Sequence, residues 1–173
     1  MDLRVKKTLM AIKQAYIEEK KRNDTVKDIK VTDICRRAMI NKTTFYKHYC
    51  DIMDLEDKIE TETVAEILDK CEHKFKIFDD TELFVSEVNE VFMKNKETIS
   101  LIFDSRMNVF LKKLEILLID FYIEQNRCQE EILLIKFCIG GAINVLAKEF
   151  NDTSKNNVIK FITDLGKMYD NKI

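Results

Sequence analysis

The sequence predicts an all-α protein: a three-helix head with helix-turn-helix spacing, then a helical-bundle body, about nine helices in all. Three observations predict it. The 173 residues include no proline and only three glycines, which argues against tight hairpins and for helices throughout. Apolar side chains recur at helical rather than alternating spacing. Residues 30 to 58, KVTDICRRAMINKTTFYKHYCDIMDLEDK, read as two short helices around a three-residue turn and then the start of a third.

The elements follow from period and polar breaks. The first helix is expected over 4 to 22, with Asn23 ending it in a left-handed cap. The second, over 32 to 38, puts Val31, Ile34 and Ala38 on one face. Met39, Ile40 and Asn41 form the turn, and Asn41 caps the third helix, 42 to 49, by accepting from the amides of Thr43 or Thr44. With Phe45 and Tyr49 turned inward, a wheel of about 100° per residue sends Thr43 and Lys47 outward, flanked by Thr44 and Tyr46. A long helix from 52 to 76 starts behind Asp51. The DDT run after Lys76 makes an exposed connection, and Asp80 opens a helix over 80 to 95. Further helices are expected over 97 to 104, 106 to 126, 129 to 150 and 155 to 170, the last opened by Thr153 or Ser154.

Size and composition fit two domains, residues 1–50 and 51–173. At 46% hydrophobic residues the chain can bury a sizeable core. No run of about eighteen apolar residues suggests a membrane span. Asp2, Arg4, Lys6 and Lys7 lead into an amphipathic helix rather than a cleavable signal. The five cysteines, Cys35, Cys50, Cys71, Cys128 and Cys138, form no CxxC pair and are odd in number, so reduced thiols in a cytoplasmic protein are expected.

Charge is unevenly spread. Residues 1 to 50 hold thirteen Lys/Arg against six Asp/Glu, a net +7, and the remaining 123 residues hold sixteen against twenty-five, a net −9. Clustered positive charge displaces counterions from DNA, while an acidic remainder keeps the rest of the molecule off the duplex. The hydroxyls, phenol and cation on the outer face of the third helix suit a helix in the major groove. The helix end that Asn41 opens would present its dipole to a phosphate. Any compact three-helix unit also has short helices with polar outer faces, so spacing alone leaves both readings open.

The segment from Arg4 to Leu55 resembles the N-terminal domain of TetR-type transcriptional regulators. VKKTLMAIKQAYIEE is similar to their first helix and VTDICRRAMINKTTFYKHYCDIMDL to the rest, most closely in Thr44-Phe45-Tyr46-Lys47-His48-Tyr49. FCIGGAINVLAKEF has a local likeness to shorter members. The resemblance implies a three-helix DNA-binding head on an all-helical ligand-binding and dimerising body. It further implies a homodimer on a palindromic operator of double-stranded DNA, and a repressor more often than an activator. By position, Lys42, Thr43, Thr44 and Lys47 would approach bases or nearby phosphates, and Tyr46 and His48 mainly the backbone. Thr32, at the start of the second helix, joins this set. His48 has the alternative of packing beside Phe45.

Three positions depart from the family pattern. Met39 stands where a turn glycine is usual, which costs roughly 1 kcal/mol in a left-handed conformation. Lys30 replaces a capping Ser or Thr, so that either Thr32 caps a later start or the end stays partly uncapped. Ile52 stands where a phosphate-contacting lysine is frequent. These departures motivate the alternative of a helical interaction or dimerisation protein whose degenerate head lacks specific DNA binding.

In the body, EEILLIKFCIGGAINVLAKEF is apolar around the whole wheel, and a helix apolar on every side must be buried on every side. The last two helices and their twofold mates are therefore expected to form a four-helix dimer interface through Ile139, Gly140, Gly141, Ile143, Val158, Ile162, Leu165 and Tyr169. Burial inside a monomer is the competing reading. Phe84, Val88, Phe92, Phe103, Met107, Phe110 and Leu114 either line an apolar ligand cavity or fill the core. A small-molecule effector or a protein co-regulator acting on the body would shift the long 52 to 76 helix and with it the spacing of two recognition helices. No phosphate loop, nucleophile elbow or distinguished carboxylate pair marks an enzyme. Cys71 and His73, two apart, are poorly placed to share a metal. Neither metal nor cofactor is expected.

Overall fold

The computed structural model describes residues 2–23, 26–72, 77–78, 80–103, 106–125, 127–148 and 152–170. Among the described residues all regular structure is helical, with nine α-helices and no strand. In chain order they are α1 Leu3–Lys20, α2 Val31–Arg37, α3 Lys42–Tyr46, α4 Ile52–Leu68, α5 Thr81–Lys94, α6 Lys96–Phe103, α7 Met107–Glu124, α8 Gln129–Lys148 and α9 Asp152–Asp170, with a single 3-10 turn at Val26–Asp28.

Local capping chemistry sets several of these ends. Asn41 Oδ1 accepts from the Thr44 amide at 2.7 Å, and Asp80 Oδ1 from the Leu83 amide at 3.0 Å. Asp51 does the same for Asp54 at 2.8 Å, each satisfying an amide the helix leaves orphaned. Asn23 does not terminate α1 by turning left-handed, since Met39 alone among the described non-glycine residues has positive φ. Its side-chain amide instead donates to the Glu19 carbonyl at 2.8 Å, and the helix ends at Lys20. α2 starts at Val31 with Lys30 as a cap that offers no side-chain bond, so Thr32 lies inside the helix. α9 begins at Asp152, ahead of Thr153 and Ser154. α4 ends at Leu68, short of the expected 76, and residues 73 to 76 lie outside the described set.

The chain divides into two compact units, Met1–Thr63 with Thr98–Asp104, and Val64–Glu97 with Ser105–Ile173. In the second unit α7 packs on α8, α8 on α9, and α9 on α5. Phe110, Leu114, Leu118 and Tyr122 of α7 fall on one helical stripe and are buried, as are Ile135, Cys138 and Ile139 of α8 and Val158 and Ile162 of α9. Gly166 lets α9 seat against Phe78, because a β-carbon there would come within 3.1 Å of the phenylalanine side chain.

The first unit is built on α1, which packs on α2, and α2 on α3. Its buried residues Ile12, Ala15, Tyr16 and Glu19 recur at helical spacing. Ile34, Phe45, Tyr49, Leu55 and Ile59 complete the head core, and Ile99, Ile102 and Phe103 of α6 are buried with them in this unit. Two ion clusters order these helices. Arg37 of α2 makes a forked pair with α1, Nη2 to Glu19 Oε1 at 2.5 Å and Nη1 to Glu18 Oε2 at 2.7 Å. Hydrogen bonds from Gln14 and Arg37 hold the Glu18 carboxyl below its usual range.

The other cluster is more enclosed. Lys20 Nζ donates to Glu56 Oε1 at 2.9 Å, to the Ile102 carbonyl at 2.6 Å and to the Tyr16 hydroxyl at 3.4 Å. Tyr16 in turn donates to Glu56 Oε1 at 3.0 Å. The Lys20 and Glu56 side chains are only 8% and 10% exposed. Removing one partner of such a pair strands the other charge away from water, at a cost of about 3 kcal/mol or more. Lys20→Met should therefore lower unfolding stability by about 3 kcal/mol in a urea titration, and adding Glu56→Met should restore most of it. Two losses that simply added would mean that the two groups do not act as a pair.

Candidate nucleic-acid interface

α2 and α3 are joined by a turn that closes as a Schellman motif. The Ile40 amide donates to the Cys35 carbonyl at 3.0 Å and the Met39 amide to the Arg36 carbonyl at 3.4 Å. The motif requires a left-handed residue directly after the cap Ala38, and Met39 supplies it with φ 52°. A methionine there thus leaves the glycine-type geometry in place instead of reshaping the turn. Its side chain is 92% exposed, so it has no packing to offset the strain.

α3 follows at once. Phe45 is fully buried beneath it and Tyr49 is 6% exposed, their rings 5.6 Å apart. The outward positions are Lys42, Thr43, Tyr46 and Lys47, all exposed, with Thr32 exposed on α2. Tyr46 stands edge-on to Phe45 at 5.4 Å, which leaves its ring 55% exposed. Thr44 is half-buried, and its hydroxyl donates to Asn41 Oδ1 at 2.9 Å, so this side chain completes the cap. His48 is half-buried, with its ring 6.4 Å from that of Tyr49 and beside the core as much as the surface. Elsewhere in the same unit Arg4, Lys6, Lys7, Lys21, Arg22, Lys27, Lys30 and Arg36 are exposed. Ile52 is half-buried and contributes no charge.

Sequence reasoning missed what fixes the far end of α3. Lys58 of α4 donates to the His48 carbonyl and to Asp54 Oδ2, both at 3.0 Å, and lies 5.1 Å over the Tyr49 ring. Asp54 Oδ2 also accepts from the Cys50 amide at 2.8 Å. That bond first, and Lys58 second, hold the Asp54 carboxyl below its usual range. Burial, reinforced by Glu62 and Asp54, pushes the Tyr49 phenol up to about 12. The i,i+4 spacing of Asp54 and Lys58 was the readable signal.

The expected body sites fall differently. Phe103 is buried in the first unit, while Phe84, Phe110 and Leu114 are buried in the second. Phe92 and Val88 are half-buried and Met107 is 38% exposed. The Phe92 and Phe110 rings meet at a tilt with centroids 5.7 Å apart, as side chains filling a core do. A groove of about 600 Å³ lies instead at the α7–α8 turn, lined by Ile123, Arg127, Ile132, Leu133 and Lys136 among others, and shares no residue with that set.

Of the expected dimer residues, Ile139, Val158 and Ile162 are buried inside the chain itself, and Ile143 and Leu165 are half-buried. Gly140 faces Glu115 of α7, at 3.3 Å from a would-be β-carbon, whereas Gly141 faces open space. The Tyr169 side chain lies outside the described residues. α8 is therefore not buried all round: Leu133, Phe137 and Val145 are 69%, 62% and 45% exposed.

Among the described residues no group of three or more His, Cys, Asp or Glu side chains is placed to hold a metal ion. No described helix is long and apolar enough to cross a membrane. Burial pushes the Cys138 thiol up to about 11, the direction that suppresses the nucleophilic thiolate. Comparison of the chain with known protein families, with curated proteins and with solved structures gives no match in any of the three.

The turn makes a clean prediction. Met39→Gly removes the left-handed strain and loses no packing, so it should stabilise the protein by about 0.5–1 kcal/mol, read as a higher urea midpoint at constant slope. A lowered midpoint would show that the exposed methionine holds something in place.

Proposed function

We propose that this chain is a sequence-specific DNA-binding transcriptional regulator of the TetR type, working as a homodimer on a palindromic site and tuned through its body by a small molecule or a protein partner. One observation carries the reading. The residues α3 turns outward, Lys42, Thr43, Tyr46 and Lys47, are those that the family resemblance assigns to DNA, and they stand on the basic end of the chain. Short hydroxyls and lysine suit base edges, and the phenol and the exposed cations of the basic end suit phosphates. The resemblance favours a repressor.

The decisive experiment is selection of duplexes from a random pool. A palindromic consensus with half-sites about one helical turn apart is expected, and sequences no better than the starting pool would favour the helical interaction protein with a degenerate head. On the selected duplex, Thr43→Ala and Lys47→Ala should change the preference among bases. Tyr46→Phe should weaken all sequences alike. Binding unaltered by all three would place the interface elsewhere.

The dimer reading rests on a face of the second unit. Leu133, Phe137, Gly141 and Val145 recur every four residues along α8, and Phe161 and Met168 of α9 are 54% and 63% exposed. The Phe137 and Phe161 rings lie 6.5 Å apart, so the two helices share one apolar surface. Contiguous apolar surface of this kind marks an interaction site. The exposed charges Lys160, Asp164 and Lys167 on α9 alternate in sign, which suits pairing with a twofold copy. Phe137→Glu and Phe161→Glu should each shift the sedimenting species from dimer to monomer and weaken binding to the selected palindrome by more than about tenfold. An unchanged mass for both would remove this face from consideration.

A further inference from the structure

A helix of five residues cannot hold itself, because nucleation costs more than so few hydrogen bonds return. α3 is such a helix, and its direction decides where Thr43, Tyr46 and Lys47 point. Its start is fixed by Asn41 and its inner face by Phe45. The chain leaving it, residues 47 to 51, must be fixed from outside α3, and the group that does so comes from α4.

The Lys58 ammonium reaches back to the His48 carbonyl at 3.0 Å, one of the acceptors left open as α3 ends. It is simultaneously paired with Asp54 at 3.0 Å and seated over the buried Tyr49 ring at 5.1 Å. Asp54 returns the constraint to the same segment by accepting the Cys50 amide at 2.8 Å. One cation thus ties a carbonyl, a carboxylate and an aromatic face on the two sides of the α3–α4 turn. Lysine suits this task because its three donors radiate from a single point. The low-lying Asp54 carboxyl stays ionised through the physiological range and keeps the pair charged.

We infer that Lys58 is a positioning residue of the DNA-reading surface: by clamping the α3–α4 turn it sets the direction of α3, and it does not itself contact DNA. This rests on the DNA-binding reading given above. Two of the three donors of the ammonium are already engaged by His48 and Asp54, and the positioning role uses these bonds, whereas a phosphate contact would need the third.

The two roles separate in a salt series. Anisotropy titrations of the full chain use the duplex it selects from a random pool and a scrambled duplex of the same composition. Lys58→Met should lose about tenfold on the selected duplex and little on the scrambled one. The slope of log affinity against log salt should not change, and Lys58→Arg, which keeps the charge but spreads its donors over a plane, should recover only part of the loss. Amide exchange should quicken over residues 47 to 51 in Lys58→Met and stay unchanged in α1. A slope shallower by about one would make Lys58 a phosphate contact and overturn the inference. Wild-type affinity in Lys58→Met, or unaltered exchange over 47 to 51, would also overturn it. A wild-type chain that selects no sequence overturns the DNA reading and this inference together, whereas selective wild-type binding matched by Lys58→Met overturns this one alone.

Discussion

The first unit depends on one buried charge. Lys20 sits at the C-terminal end of α1 with its side chain 8% exposed, and its ammonium is shared among Glu56 of α4, Tyr16 of its own helix and the Ile102 carbonyl near the end of α6. Taking a lysine and a glutamate out of water costs several kcal/mol per ion, and their attraction in the interior roughly returns it. The cluster therefore adds little net stability. What it supplies is specification, since any packing of these helices that fails to bring the three acceptors to the ammonium leaves charge stranded. The buried apolar residues of the same unit, Leu55, Ile59, Ile99 and Ile102 among them, make non-directional contacts that tolerate small slips in register, and the ionic cluster does not.

This cluster also explains where the sequence stops being legible. Elements set by local chemistry were readable in advance: the i,i+4 spacing of Phe45 and Tyr49, the caps at Asn41, Asp51 and Asp80, and the helical character of a chain without proline and with three glycines. The partner of Lys20 was not, because the chain carries 29 Lys/Arg and 31 Asp/Glu, and no local rule picks Glu56 and a carbonyl 82 positions away. The inclusion of residues 98 to 103 in the same unit as α1 follows from that long-range bond and the burial of Ile99, Ile102 and Phe103, and was hidden for the same reason. In α8 the all-round apolar wheel suggested all-round burial. The single chain covers Ile135, Cys138 and Ile139 and leaves Leu133, Phe137 and Val145 in the open. Period alone identified the helix but could not say which stripe its own unit covers.

The candidate site was legible to a similar depth. Thr43 and Lys47, flanked by Thr44 and Tyr46, follow from helical geometry once the inward pair is known, and Lys42 was added by the family resemblance. Thr44 was included because it lies next to that face, yet its hydroxyl is engaged by Asn41, a competition between capping and surface roles that a wheel cannot resolve. Met39 was readable as an anomaly but not as a solution. A glycine-less turn could have been remodelled; instead two Schellman hydrogen bonds outweigh roughly 1 kcal/mol of left-handed strain.

These observations converge on how a very short helix can be made a rigid probe. α3 has five residues, too few for intrahelical bonds to fix its axis. Its orientation is the sum of restraints from outside: the Schellman turn before it, the Asn41 and Thr44 cap at its start, Phe45 anchored under it and the Lys58 bond to the carbonyl of His48 behind it. Each restraint acts on backbone or on an inward side chain, so none occupies Lys42, Thr43, Tyr46 or Lys47. That division of labour frees the outward positions to be chosen for what they touch, because the orientation of the helix does not depend on them. On the proposed DNA-binding reading, a change of base preference at Thr43 or Lys47 would then be available without refolding the head, whereas any change in direction must pass through the restraining residues.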